Sequence, residues 1–175
     1  VGSEMCIRDR RTYALIREWA ARHPQVPVTF KAHPRSHMAF WKQAAATYPN
    51  IQLAAADTSL AEALGRSSVV LNIMSNAALE ASLANRAVIY VNASGDADVL
   101  EQARFFGACI SDLETLEERL AWLSRHYQQA LRSSRAFADY HLAHGLLGQS
   151  KTAEVIDQLV HRQPPATTEL NGTLG

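Results

Sequence analysis

An α/β fold is predicted for this chain: a Rossmann-like, doubly wound parallel sheet with additional helices toward the C-terminal end. Three observations predict it. From residue 11 onward, short β-rich runs alternate with single helix-length segments, the signature of parallel βαβ units. The run at 68–73 (SVVLNI) is nearly continuous in apolar residues, as expected of a strand covered by helices on both faces. No internal repeat points to a solenoid, and right-handed crossovers make the doubly wound sheet the economical arrangement.

Taken in order, the opening VGSEMCIRDR shows neither a helical nor an alternating period. It resembles a translated sequencing-adapter scar, so residues 1–10 are expected to be non-native and to replace an upstream stretch holding an N-terminal partner domain. Residues 11–162 are expected to form the folded lobe. Tyr13, Leu15, Ile16, Trp19 and Ala20 mark one face of a first helix that Pro24 ends. A β-rich run at 26–32 (VPVTFKA) follows, then a helix over 36–48 broken by Pro49-Asn50, then a short strand over 51–55. Ser59-Leu60-Ala61-Glu62 is a capping box that opens a helix ending near Gly65. After the strand at 68–73 an alanine-rich helix spans 76–85, and the strand signal returns at 87–91. A Gly/Asp/Asn loop at 92–98 leads to a helix over 99–106 and a small strand at 108–110. Ser111-Asp112-Leu113-Glu114 reads as a second capping box, opening a long helix to about Arg132 with Leu113, Leu116, Leu120 and Leu123 as its core stripe. Helical segments at 137–142 and 151–160 follow, and residues 163–175 are expected to be a disordered tail.

Composition bounds the function. The 175 residues are 47% apolar and 19% charged, and 17 Lys+Arg balance 17 Asp+Glu to a net charge of +0, which describes a globular domain. The balance argues against a large basic footprint for nucleic acid. Two cysteines cannot build a disulfide framework, so the core must hold the fold, as in a reducing cytoplasm. With Cys6 inside the expected scar, Cys109 in the apolar setting GACIS reads as a structural thiol. No apolar run is long enough to cross a bilayer, and the start lacks the order of a signal peptide.

In open α/β sheets ligands bind outside the carboxyl ends of the strands. After the first strand, Lys31-Ala32-His33-Pro34-Arg35 offers an imidazole and a guanidinium for a phosphate or ribose. After the third, Ser75-Asn76 opens a helix whose N–H groups and dipole suit a phosphate, although Ser and Asn also serve as simple caps. Glu80, one turn on among Ala, Leu and Ser, either reaches solvent at a pocket mouth or is paired, and can accept bonds from sugar hydroxyls. No Gly-x-Gly-x-x-Gly or P-loop string is present, which lowers the dinucleotide oxidoreductase and NTPase classes. His33-x3-His37 and His141-x2-His144 lack the glutamate of a helical zinc site, and Asp96 and Asp98 read as capping residues, so no metal is expected.

The order of a strand ending in Lys-x-His-Pro-Arg, a strand followed by Ser-Asn-x3-Glu-Ala, and then Ala-Val-Ile-Tyr-Val-Asn resembles the C-terminal, nucleotide-binding lobe of GT-B glycosyltransferases. The resemblance is to bacterial capsule and surface-polysaccharide enzymes and the related CDP-glycerol glycerophosphotransferases, over roughly residues 26–160. It implies a single GT-B-type lobe in which His33 and Arg35 contact the donor phosphate, Ser75 and Asn76 form the phosphate-side turn, and Glu80 holds sugar or ribose hydroxyls. A UDP-, CMP- or CDP-linked sugar or polyol phosphate is then the substrate, with no obligatory cofactor. The catalytic residues are expected in the missing N-terminal lobe, which leaves the isolated fragment inactive. A cytoplasmic location, with peripheral attachment to the inner membrane, goes with the resemblance. The alternatives are a nucleotide-sugar epimerase of the same architecture and a non-enzymatic interaction or export-associated module.

Overall fold

The computed structural model describes residues 2–32, 38–46, 48–93, 95 and 97–161. Helix α1 (Gly2–Arg22) leads into β1 (Val28–Phe30), α2 (Met38–Ala45), β2 (Ile51–Leu53) and α3 (Leu60–Gly65). Then come β3 (Val69–Asn72), α4 (Ala77–Leu83), β4 (Ala87–Tyr90), α5 (Gln102–Phe106), α6 (Leu113–Arg125), α7 (Tyr127–His141), a 3-10 turn at Gly145–Leu147, and α8 (Gly148–His161). The chain is therefore an α/β protein with parallel strands. β1 pairs with β2 from Val28↔Ile51 to Phe30↔Leu53, and β3 pairs with β4 from Val69↔Ala87 to Asn72↔Tyr90. Among the described residues the ladders form two separate pairs. β1 and β3 hold the central residues of their β-rich runs, and β2 and β4 the first residues of theirs.

The β3–β4 pair is covered on both faces, because successive side chains of a strand point opposite ways. Ala87, Ile89 and Val91 join a core with Leu15 and Trp19 of α1 and Leu116 and Leu123 of α6, while Val69 and Leu71 pack against it. Val88 and Tyr90 enter a second core with Ala78 and Ala81 of α4, Phe106 of α5 and Phe137 of α7, and Val70 packs there. The fully buried strand is β4, whose run at 87–91 is apolar throughout, whereas most of β3 is half-buried. The small strand expected at 108–110 is reduced to one parallel bridge, Val91↔Ile110.

Local chemistry accounts for the element ends. Ser59 Oγ accepts the Glu62 N–H at 3.1 Å and the Glu62 carboxylate accepts the Ser59 N–H at 2.8 Å, the expected capping box. The second cap lies one residue further on than predicted. Asp112, extended at φ −136°, is the capping residue, and its carboxylate accepts both the N–H and the hydroxyl of Thr115 at 2.9 Å. The single long helix expected to Arg132 is two helices. His126 leaves helical geometry (φ −127°, ψ 32°), its Nδ1 sits 3.0 Å from the Trp122 carbonyl and its ring stacks on Trp122. The same Trp122 carbonyl also accepts the His126 N–H at 3.0 Å, as the last bond of the first of the two helices. Helix α1 runs without a break from Gly2, so the opening segment without a period is helical. It carries no proline and no interior glycine.

Two long-range ties orient α1, whose expected face of Tyr13, Leu15, Ile16, Trp19 and Ala20 is buried. Glu117 of α6 takes the Trp19 indole N–H at 3.2 Å and lies 2.9 Å from His23 Nε2 through each oxygen. Asn50 Nδ2 donates to the carbonyls of Ala20, His23 and Val26 at 3.0–3.1 Å. The residue read as a helix breaker is thus also a clasp between the start of β2 and the end of α1.

Candidate functional site

The site begins where β3 ends. Asn72 makes the last ladder bond, its carbonyl accepting the Val91 N–H at 2.9 Å. The chain then turns through Ile73, Met74, Ser75 and Asn76 into α4. Ser75 Oγ accepts the Ala77 N–H at 3.1 Å, so one N–H that the sequence offers to a phosphate is already occupied by the protein. Asn76 sits at the helix start with no side-chain capping bond, and its carbonyl accepts the Glu80 N–H at 3.3 Å. Ser75, Asn76 and Glu80 are all exposed. The structure therefore brings three of the sequence-predicted residues to one solvent-facing corner at the carboxyl end of a parallel strand. His33 and Arg35 lie outside the described residues, as do His37 and Asp96.

Behind this corner lies a polar layer that sequence reasoning missed. The Asn72 side-chain amide donates to Gln102 Oε1 at 2.7 Å, and Gln102 Nε2 donates to the Ile73 carbonyl at 2.7 Å. Both residues are buried. At the end of β4, Asn92 Nδ2 donates to the Tyr90 phenol at 3.2 Å, and the Cys109 thiol contacts the Asn92 carbonyl at 3.6 Å. Thr12 of α1 completes the layer, its hydroxyl accepting the Ala93 N–H at 3.2 Å. One signal was present: Asn72 is the polar residue inside an apolar strand run, a position that demands a partner when buried.

Electrostatics sort these groups. Burial pushes the Tyr90 phenol up, with the Asn92 bond working against it and the Asp98 charge adding to it. Burial likewise raises the Cys109 thiol, against the bond to Asn92. A thiol held protonated in this way is a packing group and a poor nucleophile. Asp98 caps α5 through the Ala103 N–H at 2.7 Å, the use predicted for it. His141 is engaged by the Leu100 carbonyl, 2.9 Å from its Nε2, and lies against Phe137 and Tyr140. Among the described residues no group of three or more His, Cys, Asp or Glu side chains is placed to hold a metal ion. None of their helices is long and apolar enough to cross a membrane.

The arrangement can present an amide, a hydroxyl and a carboxylate to a polyhydroxylated ligand from a rigid strand end. No family model, no curated protein and no solved structure matches the chain.

Proposed function

We propose that this chain is the donor-nucleotide-binding lobe of a GT-B-type glycosyltransferase or glycerophosphotransferase of bacterial surface-polysaccharide synthesis, built on a Rossmann-like doubly wound sheet. The observation that carries the reading is the exposure of Ser75, Asn76 and Glu80 together at the carboxyl end of β3. Strand ends of this kind are where open α/β sheets take their ligands. Ser75 and Asn76 hold the phosphate side of a UDP-, CMP- or CDP-linked donor, Glu80 accepts bonds from sugar or ribose hydroxyls, and His33 and Arg35 neutralise phosphate charge. The lobe contributes binding and positioning, and the acceptor and the groups that move protons belong to a partner lobe. It works in the cytoplasm, with peripheral attachment at the inner membrane.

Calorimetric titration with UDP, CMP and CDP tests this. Saturable heat is expected with one of them, weakened about ten- to a hundredfold by Glu80→Ala if the carboxylate makes a charged hydrogen bond. Heats equal to buffer dilution for all three overturn the reading.

A further inference from the structure

We infer that Gln102 is a positioning residue of this corner: it holds the turn that carries Ser75 and Asn76 without touching the ligand itself. The inference rests on the donor-lobe reading above. Its basis is the way two primary amides are spent. Gln102 is 1% exposed and Asn72 4% exposed, and both stand where apolar side chains would pack with no hydrogen bonds to satisfy. Each amide is used directionally. Asn72 Nδ2 donates to Gln102 Oε1, and Gln102 Nε2 passes the bond on to the Ile73 carbonyl, each at 2.7 Å.

Ile73 is the first residue beyond the ladder. The β3–β4 register ends at Asn72↔Tyr90, so in place of a strand partner the Ile73 carbonyl has the Gln102 amide. Met74, Ser75 and Asn76 follow at once. The anchor is itself fixed. Gln102 opens α5 just after Glu101, which is left-handed at φ 50°, and Asp98 ties the next residue through the Ala103 N–H. Phe106, one turn on, is buried against Phe137 of α7 at 4.8 Å between ring centroids. The turn is thus fastened to a packed helix thirty residues away in the chain, while backbone bonds hold the strands independently of it.

The test uses Gln102→Met, which keeps length and loses both bonds, and Gln102→Glu, which can restore them when protonated. Leu123→Ala, in the other core, serves as a control that loosens packing away from α5. Nucleotide affinity is measured by calorimetry at a temperature where each variant is folded, and backbone amide shifts are followed by NMR. Gln102→Met is expected to weaken the best-binding nucleotide at least tenfold, with shifts concentrated at residues 73–78. Leu123→Ala should stay within twofold. Gln102→Glu is expected to be weak at neutral pH and to regain affinity as pH falls through the titration of its buried carboxyl. If the methionine variant does not fold, that pH-dependent recovery decides.

Affinity of Gln102→Met within twofold of the unsubstituted chain, or no recovery in Gln102→Glu, overturns the role of Gln102 and leaves the donor-lobe reading standing. An unsubstituted chain that binds none of the nucleotides overturns the donor-lobe reading, and the positioning role with it.

Discussion

Gly107 and Arg119 share one space: a Cβ built on Gly107 would stand 2.5 Å from Nη2 of Arg119, with Nη1 at 3.0 Å and Cζ at 3.2 Å. The guanidinium is there because its Nη1 donates to the Phe106 carbonyl at 2.9 Å, closing the end of α5 against α6. Gly107 also has φ 84° and ψ −178°, a region essentially reserved for glycine. Gly107→Ala should therefore cost roughly 1–3 kcal/mol in strain, and further loss as Arg119 is pushed from its carbonyl. Gly95, at φ 74° with nothing within 4 Å of a built Cβ, supplies the comparison. Gly95→Ala should cost only about 1 kcal/mol for the left-handed backbone. Urea midpoints of the two variants check the order, and equal losses would mean that Arg119 moves freely.

Asn50 gathers three carbonyls, those of Ala20, His23 and Val26, on a single amide nitrogen. Asn50→Ala leaves them short of a donor in a half-buried setting and should lower stability by about 2 kcal/mol. Asn50→Asp is expected to be worse at neutral pH, because it places a carboxylate against the same oxygens. Its folded pKa is then raised, so the variant should lose stability as pH rises from about 4, the usual unfolded carboxyl value. Denaturant titrations of both variants at pH 4 and pH 7 measure the effect, and an aspartate variant indifferent to pH would show that the amide nitrogen is not the group that matters.

Acid should act on two helix starts in particular. The Thr115 N–H and hydroxyl hold the exposed Asp112 carboxyl below the usual carboxylate range, and the Ser59 N–H and hydroxyl do the same for Glu62. A depressed folded pKa means that the contribution is fully present above the ordinary carboxyl pKa and is lost as pH falls through the folded value. The urea midpoint is therefore expected to fall below about pH 4, and to fall less steeply in an Asp112→Asn/Glu62→Gln double variant, whose caps do not titrate. Parallel slopes for the two proteins would remove these caps as a source of acid sensitivity.

What was legible in the chain follows the range over which each interaction acts. The Ser59–Glu62 box, the buried face of α1 and the leucine stripe of α6 depend on neighbours within a turn or two, and all three stand as predicted. The α6–α7 break does not, because residues on either side of His126 favour helix and only the backbone angles of His126 itself depart from it. The corner of Ser75, Asn76 and Glu80 was readable as a local string following an apolar strand. The Asn72–Gln102 pair behind it was not, since two uncharged amides thirty residues apart leave no periodic trace. The two-faced cover expected of the strand at 68–73 stands, with Val69 and Leu71 packed on one core and Val70 on the other, although β4 beside it is the more deeply buried. A run of apolar residues reports what a strand can bury, whereas the helices packed around it decide what it does bury.

The last expectation concerns the packing of α4 on α7, where Ser82 and Ser134 are buried and neither Oγ has a hydrogen-bond partner. Buried helical serines commonly return their hydroxyl to the carbonyl one turn back, so two enclosed hydroxyls without partners carry desolvation with nothing in exchange. Their neighbours in the same helices, Ala78, Ala81 and Ala138, are buried and small, which fits close approach of the two backbones and leaves little room for anything larger than serine. Alanine removes one oxygen, keeps the close packing and has the higher helix propensity. Ser134→Ala should therefore raise stability by about 1 kcal/mol, with Ser82→Ala similar and the double variant close to additive unless the two sites touch. Differential scanning calorimetry and urea unfolding would register the gain. A loss of comparable size would reveal a partner for the hydroxyl, such as an enclosed water, and would turn this small-residue contact from a packing compromise into a polar joint between α4, which carries Glu80, and the helix behind it.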